Sequence, residues 1–191
     1  MDLLNFMLDT FVYIGVFGIL AMSLNLEAGF TRLTNFGKVG FFGIGAYTAA
    51  LLALNGYNFI ISLALAVIIS GIAGFLISLP TLRLREDYFA IVTVASGEIL
   101  RIFYISESWL TNGTRGLPGI PRPLTELIPV DNYLVFYTPL VFFFVIICYI
   151  ISQQIVYSPF GRVLKAIRED EIAAQSLGKN IFQFKTKSLI I

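Results

Sequence analysis

The sequence contains no histidine and a single cysteine, Cys148. Without imidazole there is no side chain that titrates near neutrality as a general base, and no His ligand for a metal. A lone cysteine closes no intrachain disulfide and builds no thiolate cluster, and as a nucleophile it would have no histidine to activate it. Cys148 lies inside an apolar run, where packing is its simplest role. Charge is scarce too: Asp, Glu, Lys and Arg make up 13% of 191 residues and nearly cancel, at a net +1. No general attraction to nucleic acid follows from that balance. The phosphate-cradling pattern G-x-x-x-x-G-K-[ST] is missing, so ATP hydrolysis would have to be supplied by another chain. No catalytic, cofactor or metal constellation emerges, and no enzyme is expected.

What the chain has is hydrophobicity, 57% of its residues, which places it among polytopic membrane proteins and predicts an all-α bundle of about five spans. Leu3 to Leu26 is the first span. Asp2 and Asp9 stand where a secretory signal would carry basic residues, so this helix is expected to be retained. Glu27 to Lys38 reads as a polar connection. Val39 to Leu54 is short for a span and rich in small residues, Gly40, Gly43 and Gly45 among them, which fits either close helix packing or a short, broken or re-entrant helix lining a pathway. Phe59 to Leu79 is an uncharged run of full bilayer length ended by Pro80, and a charged turn follows with Arg83, Arg85, Glu86 and Asp87. Glu86 and Asp87 are adjacent, which is poor geometry for an acid/base pair.

Phe89 to Ile105 is apolar apart from Ser96, Glu98 and Arg101. The i, i+3 spacing lets Glu98 and Arg101 meet on one helical face, either as a structural ion pair near the membrane boundary or as a pair lining or gating a pathway. Ser106 to Asn132 is turn-rich, with Gly116, Pro118, Gly119 and Pro121 at its centre; it is either a passive connector or an outer gate and docking surface, with Tyr104, Trp109 and Tyr133 as interface anchors. Tyr133 to Ile151 is the last complete span, with Pro139 inside it. A further transmembrane helix is expected to begin at Ser188.

Between these lies a polar island, Ser158 to Gly178, which reads as two short helices. Ser158 can cap the first, with Pro159 at its opening position. Phe160, Val163, Leu164 and Ile167 form an apolar stripe. Asp170 can cap the second helix, which presents Ile172, Ala173, Ala174 and Leu177 and ends at Gly178. Those apolar faces require cover from a partner or from the membrane helices.

The string GRVLKAIREDEIAAQSLG, with Glu171 and Ala173-Ala174-x-x-x-Gly178, resembles the EAA loop of ABC importer permeases, in the form found in branched-chain amino acid permeases of the LivM type. The glutamate stands one residue further from the alanines than in the common spelling, and no Leu-Pro follows the glycine. NFGKVGFFGIGAYTAALLAL and PTLRLREDYFAIVTVASGEILRI resemble the same family, with Lys38 where many members carry histidine. The resemblance implies one permease domain over residues 1–191 that corresponds to the N-terminal part of such a permease, with a cytoplasmic loop over 152–187 that docks on ABC ATPases. Gly161, Arg162, Ala166, Ile167, Arg168, Glu169, Asp170, Glu171, Ala173, Ala174, Leu177 and Gly178 would belong to that coupling loop. Partners implied are two ATPases, a sister permease and an extracytoplasmic substrate-binding protein, in the plasma membrane of a bacterium or archaeon. Alternatives are uptake of urea or short-chain amides, or a truncated membrane protein with a structural or regulatory role.

Charge asymmetry gives a topology. Ten Lys and Arg residues (Arg32, Lys38, Arg83, Arg85, Arg162, Lys165, Arg168, Lys179, Lys185, Lys187) fall in segments on one side of a five-span bundle, and two, Arg115 and Arg122, on the other. The positive-inside rule then puts the two-helix loop in the cytoplasm and the N-terminus outside.

Overall fold

The computed structural model describes residues 3–81, 86–123 and 133–190. Arg83 and Arg85 lie outside this set, as does the stretch 124–132 of the turn-rich connection. Among the described residues the chain is helical, without strands: α1 (Leu3–Thr31), α2 (Lys38–Leu54), α3 (Phe59–Thr81), α4 (Glu86–Ser106), α5 (Ser108–Thr111), a 3₁₀ turn (Gly113–Arg115), α6 (Tyr133–Tyr157), α7 (Pro159–Glu169), α8 (Glu171–Ser176) and α9 (Ile181–Ile190). Four of these, α1, α3, α4 and α6, are long and apolar enough to cross a membrane, and α2 is a shorter apolar helix of 17 residues. In a bilayer a spanning helix satisfies its own backbone, and association then depends on close packing of side chains.

Two helix groups result. In one, α1 and α6 run side by side in the same direction. Gly15 leaves room for Val141, and Phe11 meets Phe142 edge-on with ring centroids 6.3 Å apart. At the far ends Lys165 Nζ sits 5.5 Å from the ring of Phe30 and 5.6 Å from that of Tyr157. In the other group α2 and α3 form an antiparallel hairpin through a tight turn at 55–58, where the Asn58 side chain accepts from the Ile60 amide at 2.9 Å. Helix α4 runs parallel to α2. Gly37 of the segment before α2 lies against Thr93, Gly40 against Leu100 and Gly43 against Tyr104, so contacts advance together along both helices. The Tyr104 hydroxyl donates to the carbonyl of Gly40 at 3.0 Å, and its ring packs on Tyr47 at 4.8 Å.

These directions place the α1–α2 connection, the end of α3, the start of α4 and the α7–α8 loop at one end of the bundle, with residues 55–58 and 107–123 at the other. Arg32, Lys38, Arg162, Lys165 and Arg168 thus share one end, and Arg115 and Arg122 the other.

Several boundaries differ from expectation. α1 continues through Glu27 to Thr31, five residues past the expected end of the span, because Glu27 is paired inside the fold. α2 is one unbroken helix, so the broken alternative for this stretch does not form. α3 includes Pro80 in its last turn and ends at Thr81. α9 begins at Ile181, seven residues before Ser188. Its Leu189 and Ile190 reach Gly74 and Gly71 of α3.

Candidate functional site: a clamped two-helix loop and two membrane charge pairs

Local chemistry builds the α7–α8 loop. The Ser158 hydroxyl accepts from the Gly161 amide at 3.2 Å with Pro159 at the first helical position, and the Asp170 carboxylate accepts from the Ala173 amide at 2.9 Å. Each cap satisfies an amide that a helix start leaves unpaired. Gly178 closes α8 with φ +76°, a left-handed conformation that glycine adopts without a Cβ penalty. The stripe on α7 is turned inward: Leu164 and Ile167 are buried, and Gly161 lies against the last turn of α6. Burying a Leu or Ile side chain is worth about 1.5–3 kcal/mol. Phe160 stacks on Phe184 of α9 with centroids 5.5 Å apart. The membrane helices and α9 therefore supply the cover that α7 needs.

α8 behaves differently. Ala174 is buried within the chain, while Ala173 is exposed and Ile172 and Leu177 are 77% and 79% exposed. The adjacent alanines thus face opposite ways. Ala174 packs inward, and Ile172, Ala173 and Leu177 form an outward apolar face. Arg162, Ala166 and Glu169 lie on the exposed side of α7. Three polar contacts clamp the loop: Arg168 Nη1 to the Gly29 carbonyl at 2.7 Å, Glu171 Oε2 with Lys185 Nζ at 2.7 Å, and Lys165 over Phe30 and Tyr157. Lys165 is exposed yet lies over two aromatic faces.

Glu98 and Arg101 form the expected i, i+3 pair. Arg101 Nε donates to Glu98 Oε2 at 2.9 Å and Nη2 to Oε1 at 2.6 Å, with Glu98 near the middle of the Tyr88–Ser106 span and Arg101 one turn closer to its end. Their side chains are 52% and 60% exposed, outside the stripe of α4 that packs on α2. Gly40 and Gly43 serve close contact with α4, and Gly45 lies next to Ser70 of α3. In the turn-rich connection the chain is irregular from Gly116 to Pro121 and exposed at Pro118, Gly119 and Pro121. Just before it, Thr111 is fully buried, its hydroxyl donating toward the carbonyls of Tyr104 at 2.6 Å and Glu107 at 2.9 Å. This ties the connection to the end of α4.

A second charge pair was not foreseen. Glu27, 1% exposed, pairs through Oε1 with the ammonium of Lys38. Thr31 and Asn35 are buried beside it, and among the described residues Glu27 Oε2 and Asn35 Oδ1 have no hydrogen-bond donor. The available signal was two single charges of opposite sign flanking the turn between the first two apolar runs. Among the described residues no three His, Cys, Asp or Glu side chains converge as a metal site.

Four membrane-length helices, a short fifth and an amphipathic loop clamped against their ends define a multi-pass membrane protein. The chain belongs to the family described as branched-chain amino acid transport system / permease component, whose profile matches residues 6–191. It is 35% identical to the high-affinity branched-chain amino acid transport system permease protein LivM of Salmonella typhimurium and 34% identical to that of Escherichia coli, each over 95% of this chain and 47% of the relative. A probable branched-chain amino acid transport permease protein LivM of Methanocaldococcus jannaschii is 28% identical over 100% of this chain and 64% of its own length. The chain thus spans about half the length of the first two relatives. No solved structure matches it.

Proposed function

We propose that this chain forms transmembrane permease structure of an ABC importer that moves branched-chain amino acids into the cell by alternating access, driven by partner ATPases. The observation that carries the coupling assignment is the split character of the α7–α8 loop. One side is clamped to α1, α6 and α9, and the other leaves Ile172, Ala173 and Leu177 exposed where a partner can cover them. An exposed apolar patch on an otherwise anchored element is the kind of surface that binds another protein. Movement of an ATPase under α8 would reach α1 through Arg168 and α9 through the Glu171–Lys185 pair. The end of the bundle that holds this loop also holds Arg32 and Lys38, which supports a cytoplasmic loop and an outer N-terminus. The Gly116–Pro121 segment, at the opposite end, is then the surface available to an extracytoplasmic binding protein. A sister permease would complete the pathway. Relatives named for branched-chain amino acid transport support that substrate class over urea or amides.

The test is co-purification and uptake with the cognate ATPases, sister permease and binding protein. Leu177→Asp should abolish ATPase retention and leucine uptake while the chain stays in the membrane. Wild-type ATPase stoichiometry together with normal uptake in that variant would overturn the coupling assignment.

A further inference from the structure

The Glu98–Arg101 pair poses a physical problem whose solution assigns it a ligand. A charge facing hydrocarbon at mid-span is costly, so ionisable side chains in membrane segments face protein or a water-filled cavity. Both members here are more than half exposed, Glu98 near the middle of the Tyr88–Ser106 span and Arg101 one turn closer to its end. The strip they occupy therefore faces something polar.

The geometry of the pair narrows what that is. A guanidinium has five N–H donors in a rigid fork. Arg101 directs one Nε and one Nη2 donor at Glu98, which leaves the Nη1/Nη2 edge, with three N–H groups, open. That edge fits a carboxylate through two parallel hydrogen bonds. Each Glu98 oxygen accepts a single bond from Arg101 and keeps acceptor capacity for an ammonium. Val94 lies four residues before Glu98 and Ile105 four after Arg101, so both flank the pair on the same strip, and both are exposed. A cation, an anion and apolar ground on either side are what an α-amino acid with a branched aliphatic side chain presents in complementary form. A protein neighbour would have to supply dedicated acceptors for three N–H groups; the zwitterion brings its own carboxylate.

We infer that Glu98 and Arg101 read the zwitterionic end of the transported amino acid, Arg101 taking the α-carboxylate and Glu98 the α-ammonium, with the aliphatic side chain laid on Val94 or Ile105. This rests on the substrate class proposed above. Glu98 lies near the middle of its span, the depth at which transporters commonly hold substrate.

The experiment is equilibrium binding to the purified permease–ATPase complex without binding protein, so that selectivity belongs to the membrane site. The probes are leucine, 3-methylbutylamine, which lacks the carboxylate, and 4-methylpentanoate, which lacks the ammonium. Wild type should prefer leucine to both. Arg101→Gln should weaken leucine by roughly 10- to 100-fold and abolish its advantage over the amine; Glu98→Gln should abolish its advantage over the acid. If the single variants fold poorly, the doubly swapped Glu98→Arg/Arg101→Glu chain restores an ion pair with reversed polarity. Recovered yield with leucine binding still lost supports the assignment, because the side chain would then point off its apolar ground. Recovered yield with wild-type leucine binding makes the pair structural and overturns it. Leucine uptake by the wild-type importer with unchanged binding in the single variants overturns this inference alone. A wild-type importer that neither binds nor transports leucine overturns the proposed substrate, and this inference falls with it.

Discussion

Arg168 Nη1 lies 2.7 Å from the carbonyl oxygen of Gly29, which is 139 residues away in the chain. Gly29 is in the last turn of α1, whose carbonyls lack intrahelical donors and carry the negative end of the helix dipole. The loop helix α7 thus caps a membrane helix with its own cation.

Removing that cap should loosen the link more than the fold. Arg168→Ala should cost about 1 kcal/mol of stability, yet lower uptake per ATP hydrolysed several-fold while ATPases stay bound. Lysine at the same position should recover part of the loss. Parallel assays of ATP hydrolysis and uptake in proteoliposomes check this, and an unchanged coupling ratio in the alanine variant would refute it.

The two alanines of α8 should part company. Ala174→Asp places a carboxylate in a buried position, so it should reduce folded yield in detergent. Ala173→Asp lies on the exposed face and should leave yield intact while weakening ATPase retention. Size-exclusion profiles and co-purification ratios separate the two effects; identical behaviour would show that α8 does not present one face outward.

The Glu27–Lys38 pair should behave as a unit. Glu27→Gln or Lys38→Met alone leaves a buried charge without its partner, at about 3–5 kcal/mol, whereas the double variant should recover most of the loss. Thermal unfolding in detergent measures it, and additive losses would mean that the two charges act independently.

Gly37 sits where a Cβ would overlap the carbonyl oxygen of Thr93, a backbone atom that cannot rotate aside. At Gly40 the first obstacle is Leu100 Cδ1, the end of a flexible side chain. Gly37→Ala should therefore destabilise the α2–α4 contact by about 1–3 kcal/mol, and Gly40→Ala by less. Melting temperatures of the two variants give the order.

Single cysteines in a Cys148→Ser background should report opposite sides. Arg115→Cys should react with an impermeant maleimide from outside, and Ile172→Cys only after the membrane is opened. The reverse pattern would invert the topology.

Most of what local chemistry encodes was legible. Ser158, Pro159, Asp170 and Gly178 act within a few residues of themselves, so the α7–α8 boundaries followed from cap and turn preferences. The i, i+3 spacing similarly brought Glu98 to Arg101. What escaped depends on partners far along the chain. Glu27 looked like the end of a span because an unpaired carboxylate normally ends one; only the folded chain brings Lys38 to it and lets α1 continue. Lys185 and Lys187 masked the start of α9, since nothing local indicates that Lys185 reaches back to Glu171. Which of Ala173 and Ala174 turns inward depends on how α7 seats against α1 and α6.

The Glu27–Lys38 pair also constrains how the chain is made. Glu27 leaves the ribosome before Lys38, and during that interval the C-terminal end of the first helix carries an uncompensated carboxylate. Once Lys38 follows, the two charges enter as a neutral pair and the turn between them can sink with α1 and α2 together. The buried pair exists only once the start of α2 has joined the end of α1, so Glu27 reaches its final surroundings together with the second helix.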